Sequence, residues 1–199
     1  MKTAVFMIWA GAVFDFLDGF AARLLKKYSA IGKDLDSLAD VVTFSFLPAT
    51  IMFSLIENSS SNLILPYLGF LLVLFGALRL AKFNNDTRQG DIFYGLPVPA
   101  VGIFVSGLPY ILAIDYWQIG DVAGHHYLLI AVTILLSILM VSDVKLMSLK
   151  FSSFGMKVNW QRYLLLISAL VLLLFWQFAA LPIIISLYVV LSLALNIGE

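Results

Sequence analysis

The chain has 199 residues, of which 62% are hydrophobic and 12% charged, against about 45–50% apolar and about 25% charged in an ordinary soluble domain. Twelve Lys and Arg balance twelve Asp and Glu, and there is no cysteine. This excludes a water-soluble monomer, electrostatic attraction of the whole chain to nucleic acid, disulfide frameworks and thiolate chemistry. An integral membrane protein remains.

A helix needs about 20 apolar residues to cross about 30 Å of hydrocarbon. Stretches of that kind occur at approximately 3–25, 35–56, 63–83, 96–115, 126–142, 161–178 and 180–196. They predict an all-α, polytopic transmembrane helical bundle of about seven spans in a single domain, residues 1–199. The last two stretches form one apolar run that Pro182 is expected to split into a C-terminal helical hairpin, about 161–196.

Lys and Arg are retained on the cytoplasmic side of short loops. Arg23, Lys26, Lys27 and Lys33 surround the first connection, Arg79, Lys82 and Arg88 the third, and Lys145, Lys150, Lys157 and Arg162 the fifth, whereas 57–62 and 115–126 contain none. The basic connections are therefore expected in the cytoplasm and the N-terminus outside, in a multi-pass protein of the cytoplasmic membrane. An outside start with only Met1 and Lys2 ahead of the first span predicts an upstream helix that this sequence lacks. Lys2, the apolar 4–9 and Ala10-Gly11-Ala12 also imitate a signal peptide, but the basic cluster from Arg23 to Lys33 would then have to be translocated.

Asp15 and Asp18 lie inside the first span, and Asp36 and Asp40 at the start of the second. An ionised Asp near the bilayer centre costs at least about 2.5–3.5 kcal/mol, so such residues face protein or water and mark function. At about 100° per residue, Asp15, Asp18 and Ala22 share one helix face, while Gly32, Asp36 and Asp40 follow a stripe on the next. The short connection makes the two helices antiparallel neighbours with their acidic ends together. Oxygen-only ligands suit hard divalent cations such as Mg²⁺ or Mn²⁺. Two such ions about 3.5–4 Å apart form the clamp used in phosphoryl displacement. Gly19 and Gly32 leave room for a nucleotide to approach the backbone, and Arg23 offers a fixed cation for phosphate. Asp34, beside Lys33 at a helix start, reads instead as a solvated terminal charge.

From Asp15 to Asp40 the chain reads DFLDGFAARLLKKYSAIGKDLDSLAD. This resembles the signature of the CDP-alcohol phosphotransferase family, D-x-x-D-G-x-x-A-R-x8-G-x3-D-x3-D, at all of its specified positions. Within that family, Ala77 to Asn84 (ALRLAKFN), Gly95 to Ala100 (GLPVPA) and Met147 to Phe151 (MSLKF) resemble the integral membrane branch that makes phosphatidylserine. The likeness covers the chain from about Val13 to the C-terminus, and departs from the family in lacking the transmembrane helix that normally precedes the first Asp pair.

The resemblance implies that Asp15, Asp18, Asp36 and Asp40 hold two divalent metal ions, Mg²⁺ or Mn²⁺, and that Asp40 also takes the proton of the attacking hydroxyl. It implies that Gly19, Ala22, Arg23 and Gly32 line the CDP portion of the substrate. The activity implied is transfer of a phosphatidyl group from CDP-diacylglycerol to L-serine, with release of CMP, at the cytoplasmic face of the bilayer; a homodimer is compatible with it. Arg79 and Lys82, near the cytoplasmic end of the third span, are the best cations for serine's carboxylate, and Asn84 is a further donor for either substrate. For Lys82 in particular, the competing reading is a positive-inside residue that snorkels. The nearest rivals are a family member whose acceptor carries phosphate, of the phosphatidylglycerophosphate or phosphatidylinositol-phosphate synthase type, and an ion-coupled transporter. The first needs a larger basic pocket, and the second needs midplane carboxylates and repeated halves.

The remaining polar features read as structural. His125 and His126 are expected in an outer loop, and the four tryptophans mostly fall near span ends, as an aromatic belt would. Lys145 to Arg162 is expected to lie on the anionic leaflet, and Gly102 with Ser106 to support helix contact.

Overall fold

The computed structural model describes residues 2–25, 29–86, 92–113, 122–148 and 155–194. Helix α1 is Lys2–Leu25. Helix α2, Ala30–Val41, begins at the N-cap Ser29, whose hydroxyl accepts the Gly32 amide at 3.0 Å. It runs without interruption through a π-helical segment, Val42–Phe46, into α3, Leu47–Ser59. A 3₁₀ turn, Leu65–Phe70, leads into α4, Leu71–Asn85. Strand β1, Ile92–Tyr94, precedes α5, Val98–Ala113. Helix α6, His126–Val141, is followed by strand β2, Lys145–Met147. Helix α7, Met156–Trp176, a 3₁₀ turn, Gln177–Ala180, and α8, Leu181–Ala194, complete the described chain.

These helices follow the expected spans closely, and the bundle is the predicted polytopic one. Lys2–Ala22, Ile31–Ser59, Leu65–Asn85 and the broken run Asn159–Ala194 are long and apolar enough to cross a membrane, with Val98–Ala113 and His126–Val141 as shorter apolar helices. Large apolar side chains face outward: Phe6, Phe14, Phe16 and Phe20 on α1, and Ile167, Leu174 and Phe175 on α7, are all exposed. In water such a surface would drive aggregation, but against acyl chains it is the favoured solvent contact. Inside, Phe44, Ile51, Met52, Leu72, Val101 and Met140 form a core with essentially no exposure. Trp9 belongs with this interior and not with an interfacial belt, because it meets Phe178 edge-on at 5.7 Å and buries its indole nitrogen.

Polar contacts separate the two ends of the bundle. At one end Lys33 Nζ donates to the Asn84 carbonyl at 3.2 Å, joining the first basic connection to the third. The third and fifth connections meet in an antiparallel ribbon, with Ile92 opposite Met147 and Tyr94 opposite Lys145. At the other end His126 Nδ1 lies 3.0 Å from the Ser59 carbonyl. The three basic connections thus share one end, as their alternation along the chain requires. The ribbon is an addition to the expected architecture. Gly95, at φ 75°, turns the chain from β1 into α5, and any Cβ there would meet the Ser142 carbonyl at 2.8 Å.

The C-terminal hairpin breaks slightly earlier than expected. Gln177 adopts φ 50° at the end of α7, and Pro182 sits in the first turn of α8, where its missing amide donor has no intrahelical partner to lose. The two arms run antiparallel. Arg162 near the start of α7 donates through Nε to the Ser148 carbonyl at 2.8 Å, and Ser192 near the end of α8 accepts the Met147 amide at 3.2 Å.

Candidate active site

Two acidic stripes meet at the basic end of the bundle. Asp15 and Asp18 project from α1, and Asp36 and Asp40 from α2, one helical turn apart on each helix. One carboxylate oxygen from each of Asp15, Asp18 and Asp36 lies within 4.8 Å of the other two. Asp15 is half-buried and the other two are exposed. Asp40 sits a turn deeper along α2, half-buried, where burial and the charges of Asp15, Asp36 and Asp18 all act on it. Helix α1 packs on the π segment, α3 and α5, away from the start of α2. The carboxylates therefore face one another without being sealed between tightly packed helices.

The donor set fits a hard divalent cation. In an octahedral shell with bonds of about 2.0–2.1 Å, oxygens at opposite corners lie about 4.2 Å apart. Three ligands of one ion must include neighbouring pairs about 2.9 Å apart, so the three oxygens, within 4.8 Å of one another, lie near enough to draw in around one ion. Carboxylates brought this close repel one another unless a cation or a proton lies between them.

Residues 1–139 match the family described as CDP-alcohol phosphatidyltransferase. The chain belongs to this family. It is 37% identical over 149 residues to a CDP-diacylglycerol–serine O-phosphatidyltransferase of Bacillus subtilis, covering 73% of this chain and 75% of that one. It is 31% identical over 191 residues to the protein of the same name from Helicobacter pylori, covering 94% and 76%. An archaetidylserine synthase of Methanothermobacter thermautotrophicus is 35% identical over 109 residues, covering 53% and 46%. Serine is common to these names, whereas the lipid is not.

Around the carboxylates of this phosphotransferase, the other expected site residues divide by what they touch. Gly19 and Ala22 lie on α1 among the half-buried positions. Gly32 is exposed beside the Ser29 cap, and a Cβ there would lie 2.9 Å from the Ser29 hydroxyl, so its missing side chain also serves the helix start. Arg23 lies in the last turns of α1, and its side chain is outside the described residues, as are Lys26, Lys27, Arg88 and Lys150.

Of the three expected serine contacts, two are engaged with protein. Lys82 Nζ donates to Asp143 Oδ1 and to the Val141 carbonyl, each at 3.0 Å. Asn84 donates through Nδ2 to the Ser37 hydroxyl at 2.9 Å, and Ser37 in turn donates to the Lys33 carbonyl. Asn84 thus braces the acidic turn of α2, and Lys82 the end of α6. Arg79 differs from them. It is 5% exposed, stacks over the Phe83 ring at 4.9 Å, and its Nε has no hydrogen-bond partner among the described residues. Asp86 and Tyr188 lie within electrostatic reach.

Sequence reading missed the residues that hold these groups in place. Tyr188 donates its hydroxyl to the Met147 carbonyl at 2.9 Å, and Ser192, one turn on, accepts the Met147 amide. Their signal was two polar residues four apart in a largely apolar helix that also carries Ser186. The π turn also escaped notice, although Pro48, which cannot donate to a carbonyl one turn back, lies just beyond it.

Proposed function

We propose that the chain is a CDP-diacylglycerol–serine O-phosphatidyltransferase. The observation that carries this reading is the convergence of Asp15, Asp18 and Asp36 from two helices, with Asp40 one turn deeper, in a member of this family. Relatives named for serine support the choice of acceptor.

In this reading Asp15, Asp18, Asp36 and Asp40 hold one or two divalent ions, Mg²⁺ or Mn²⁺. When bound, such ions neutralise pyrophosphate charge and make the phosphorus more electrophilic. Gly19, Ala22 and Gly32 keep side chains away from the cytidine and its phosphates, and Arg23 adds a cation. Arg79 pairs with serine's carboxylate, because its buried guanidinium has an Nε with no hydrogen-bond partner among the described residues and its planar fork suits a carboxylate. Lys82 and Asn84 hold the frame around it.

Asp40 takes the proton of serine's hydroxyl as the oxygen attacks the diacylglycerol-linked phosphorus. The new O–P bond forms, the bond to the CMP phosphate oxygen breaks, and CMP leaves with phosphatidylserine as the product. The basic connections at this end of the bundle support a site at the cytoplasmic face, where CDP and serine are water-borne and the diacylglycerol stays among the lipids.

Membranes containing the protein are incubated with CDP-diacylglycerol, Mn²⁺ or Mg²⁺, and radiolabelled serine, glycerol 3-phosphate or inositol in parallel. Labelled phosphatidylserine is expected with serine alone, and is lost in Asp40→Asn. Comparable incorporation of another alcohol sinks the assignment.

A further inference from the structure

Consecutive residues of the π segment are each pressed against a glycine from a different helix. A methyl group at Gly11 of α1 would run into Thr43 Cγ2, and one at Gly76 of α4 into Ser45 Oγ. One at Gly102 of α5 would meet Phe44 Cδ1 at 2.9 Å. Phe44 and Ser45 are fully buried. The segment is a true π turn, since the Leu47 amide bonds to the Val42 carbonyl five residues back. One additional residue in a turn rotates everything before it by roughly 100° about the axis relative to a plain α-helix. The acidic turn of α2 thus points along a direction that the packing of α3 alone would not give.

The contact between Gly11 and Thr43 has a particular place in this arrangement. On α1, Asp15 and Asp18 lie four and seven residues beyond Gly11, within about 40° of its face. On the partner helix, Asp40 and Asp36 lie three and seven residues before Thr43. Both acidic stripes therefore start from one point of close approach and extend toward the same end of the bundle. The cluster agrees with this: an oxygen of Asp36 lies within 4.8 Å of one from each of Asp15 and Asp18.

We propose that Gly11 is a positioning residue for the carboxylate cluster, its contact with Thr43 being the pivot that sets the distance between the two acidic stripes, with Gly76 and Gly102 holding the π turn that presents Thr43 to it. This rests on the metal-binding reading of the four aspartates. A methyl at Gly11 pushes α1 from the π turn, and the displacement carries directly to Asp15 and Asp18. Loss of the Thr43 methyl removes most of the clash, because the next nearest atoms, Thr43 Oγ1 and Cβ, lie at 3.2 and 3.3 Å and need to give by only a few tenths of an ångström.

The test is Mn²⁺ binding to the purified full chain in lipid nanodiscs, followed by electron paramagnetic resonance, with melting temperature measured on the same samples. Gly107, which packs against Pro182, Phe178 and Leu181 and not against the π segment, supplies the structural control. Gly11→Ala is expected to raise the Mn²⁺ dissociation constant at least tenfold, and Gly11→Ala with Thr43→Ser to return it to within threefold of the parent. Gly107→Ala is expected to lower the melting temperature and leave the dissociation constant within twofold. Unchanged Mn²⁺ binding in Gly11→Ala overturns the pivot, as does weakening that merely tracks melting temperature across both glycine variants. If Gly11→Ala alone yields no folded protein, the double variant must recover both folding and Mn²⁺ binding, and failure to recover either overturns the pivot. A parent protein that binds no Mn²⁺ defeats the metal reading itself, and the pivot with it.

Discussion

Lys82 and Asp143, 61 residues apart in sequence, form an ion pair at 3.0 Å that fastens the end of α4 to the end of α6. A lysine so engaged acts as a strut. The pair is partly exposed, at 38% and 64% for the two side chains, and exposed pairs contribute at most about 1 kcal/mol. Lys82→Met is accordingly expected to lower the melting temperature by a few degrees and to leave the KM for serine within about threefold of the parent. A large rise in that KM would return Lys82 to the substrate pocket.

Arg79 gives the opposite expectation. Hydrogen bonds to charged groups contribute about 1.5–3 kcal/mol, or roughly 10- to 150-fold. Arg79→Gln should lower kcat/KM for serine by that factor and leave the KM for CDP-diacylglycerol nearly unchanged. Steady-state kinetics with each substrate varied in turn distinguish this from general damage, which moves both constants.

Asp40→Asn keeps the shape of the side chain and removes the proposed base. Loss of a general base costs about 10²- to 10⁴-fold in rate, and this loss should appear in kcat. Because Asp15, Asp18 and Asp36 are retained, Mn²⁺ binding should weaken less than in a variant that removes Asp15 and Asp18 together. Equal loss of metal in the two would leave no separate base role for Asp40.

Removal of divalent ions with EDTA should abolish transfer reversibly, with recovery on adding Mg²⁺ or Mn²⁺. The all-oxygen donor set predicts that this recovery does not depend on reducing agents, consistent with a chain that has no cysteine. Activity that persists through exhaustive chelation contradicts the proposed site.

Tyr188→Phe removes a buried hydroxyl that donates to the Met147 carbonyl at 2.9 Å. Leaving that carbonyl unpaired costs about 1–3 kcal/mol, measurable as a lower melting temperature in nanodiscs. No change would mean that the ribbon draws its stability from elsewhere.

The acidic pairs were legible in the sequence because a charge in hydrocarbon stands out against its neighbours, and their helical spacing gave the shared face. The alternation of basic connections was legible for the same reason, and Lys33 with Asn84 and β1 with β2 bring those connections together in space. What could not be read was partnership over distance. Lys82 and Arg79 are both cations near the end of one apolar run, and in space Lys82 pairs with Asp143 while Arg79 is buried over Phe83. The ribbon strands, Ile92–Tyr94 and Lys145–Met147, are too short for a period-two pattern to show. The π turn just before Pro48 also had no local signature, since the residues packed on it are glycines from three other helices. The hairpin broke at Gln177, ahead of Pro182, because proline is content in a first turn.

The outward phenylalanines of α1 carry a consequence for handling the protein. Phe14 and Phe16, exposed at 68% and 64%, flank Asp15 on the same helix. Half of the acidic cluster is thus mounted on an element whose apolar side is wetted by acyl chains, while the other half stands on a helix that continues into the buried core. The spacing between the halves then responds to the solvent around the protein as well as to the protein. Lipid thickness and detergent chain length become variables of the chemistry, to be fixed and stated like pH or salt.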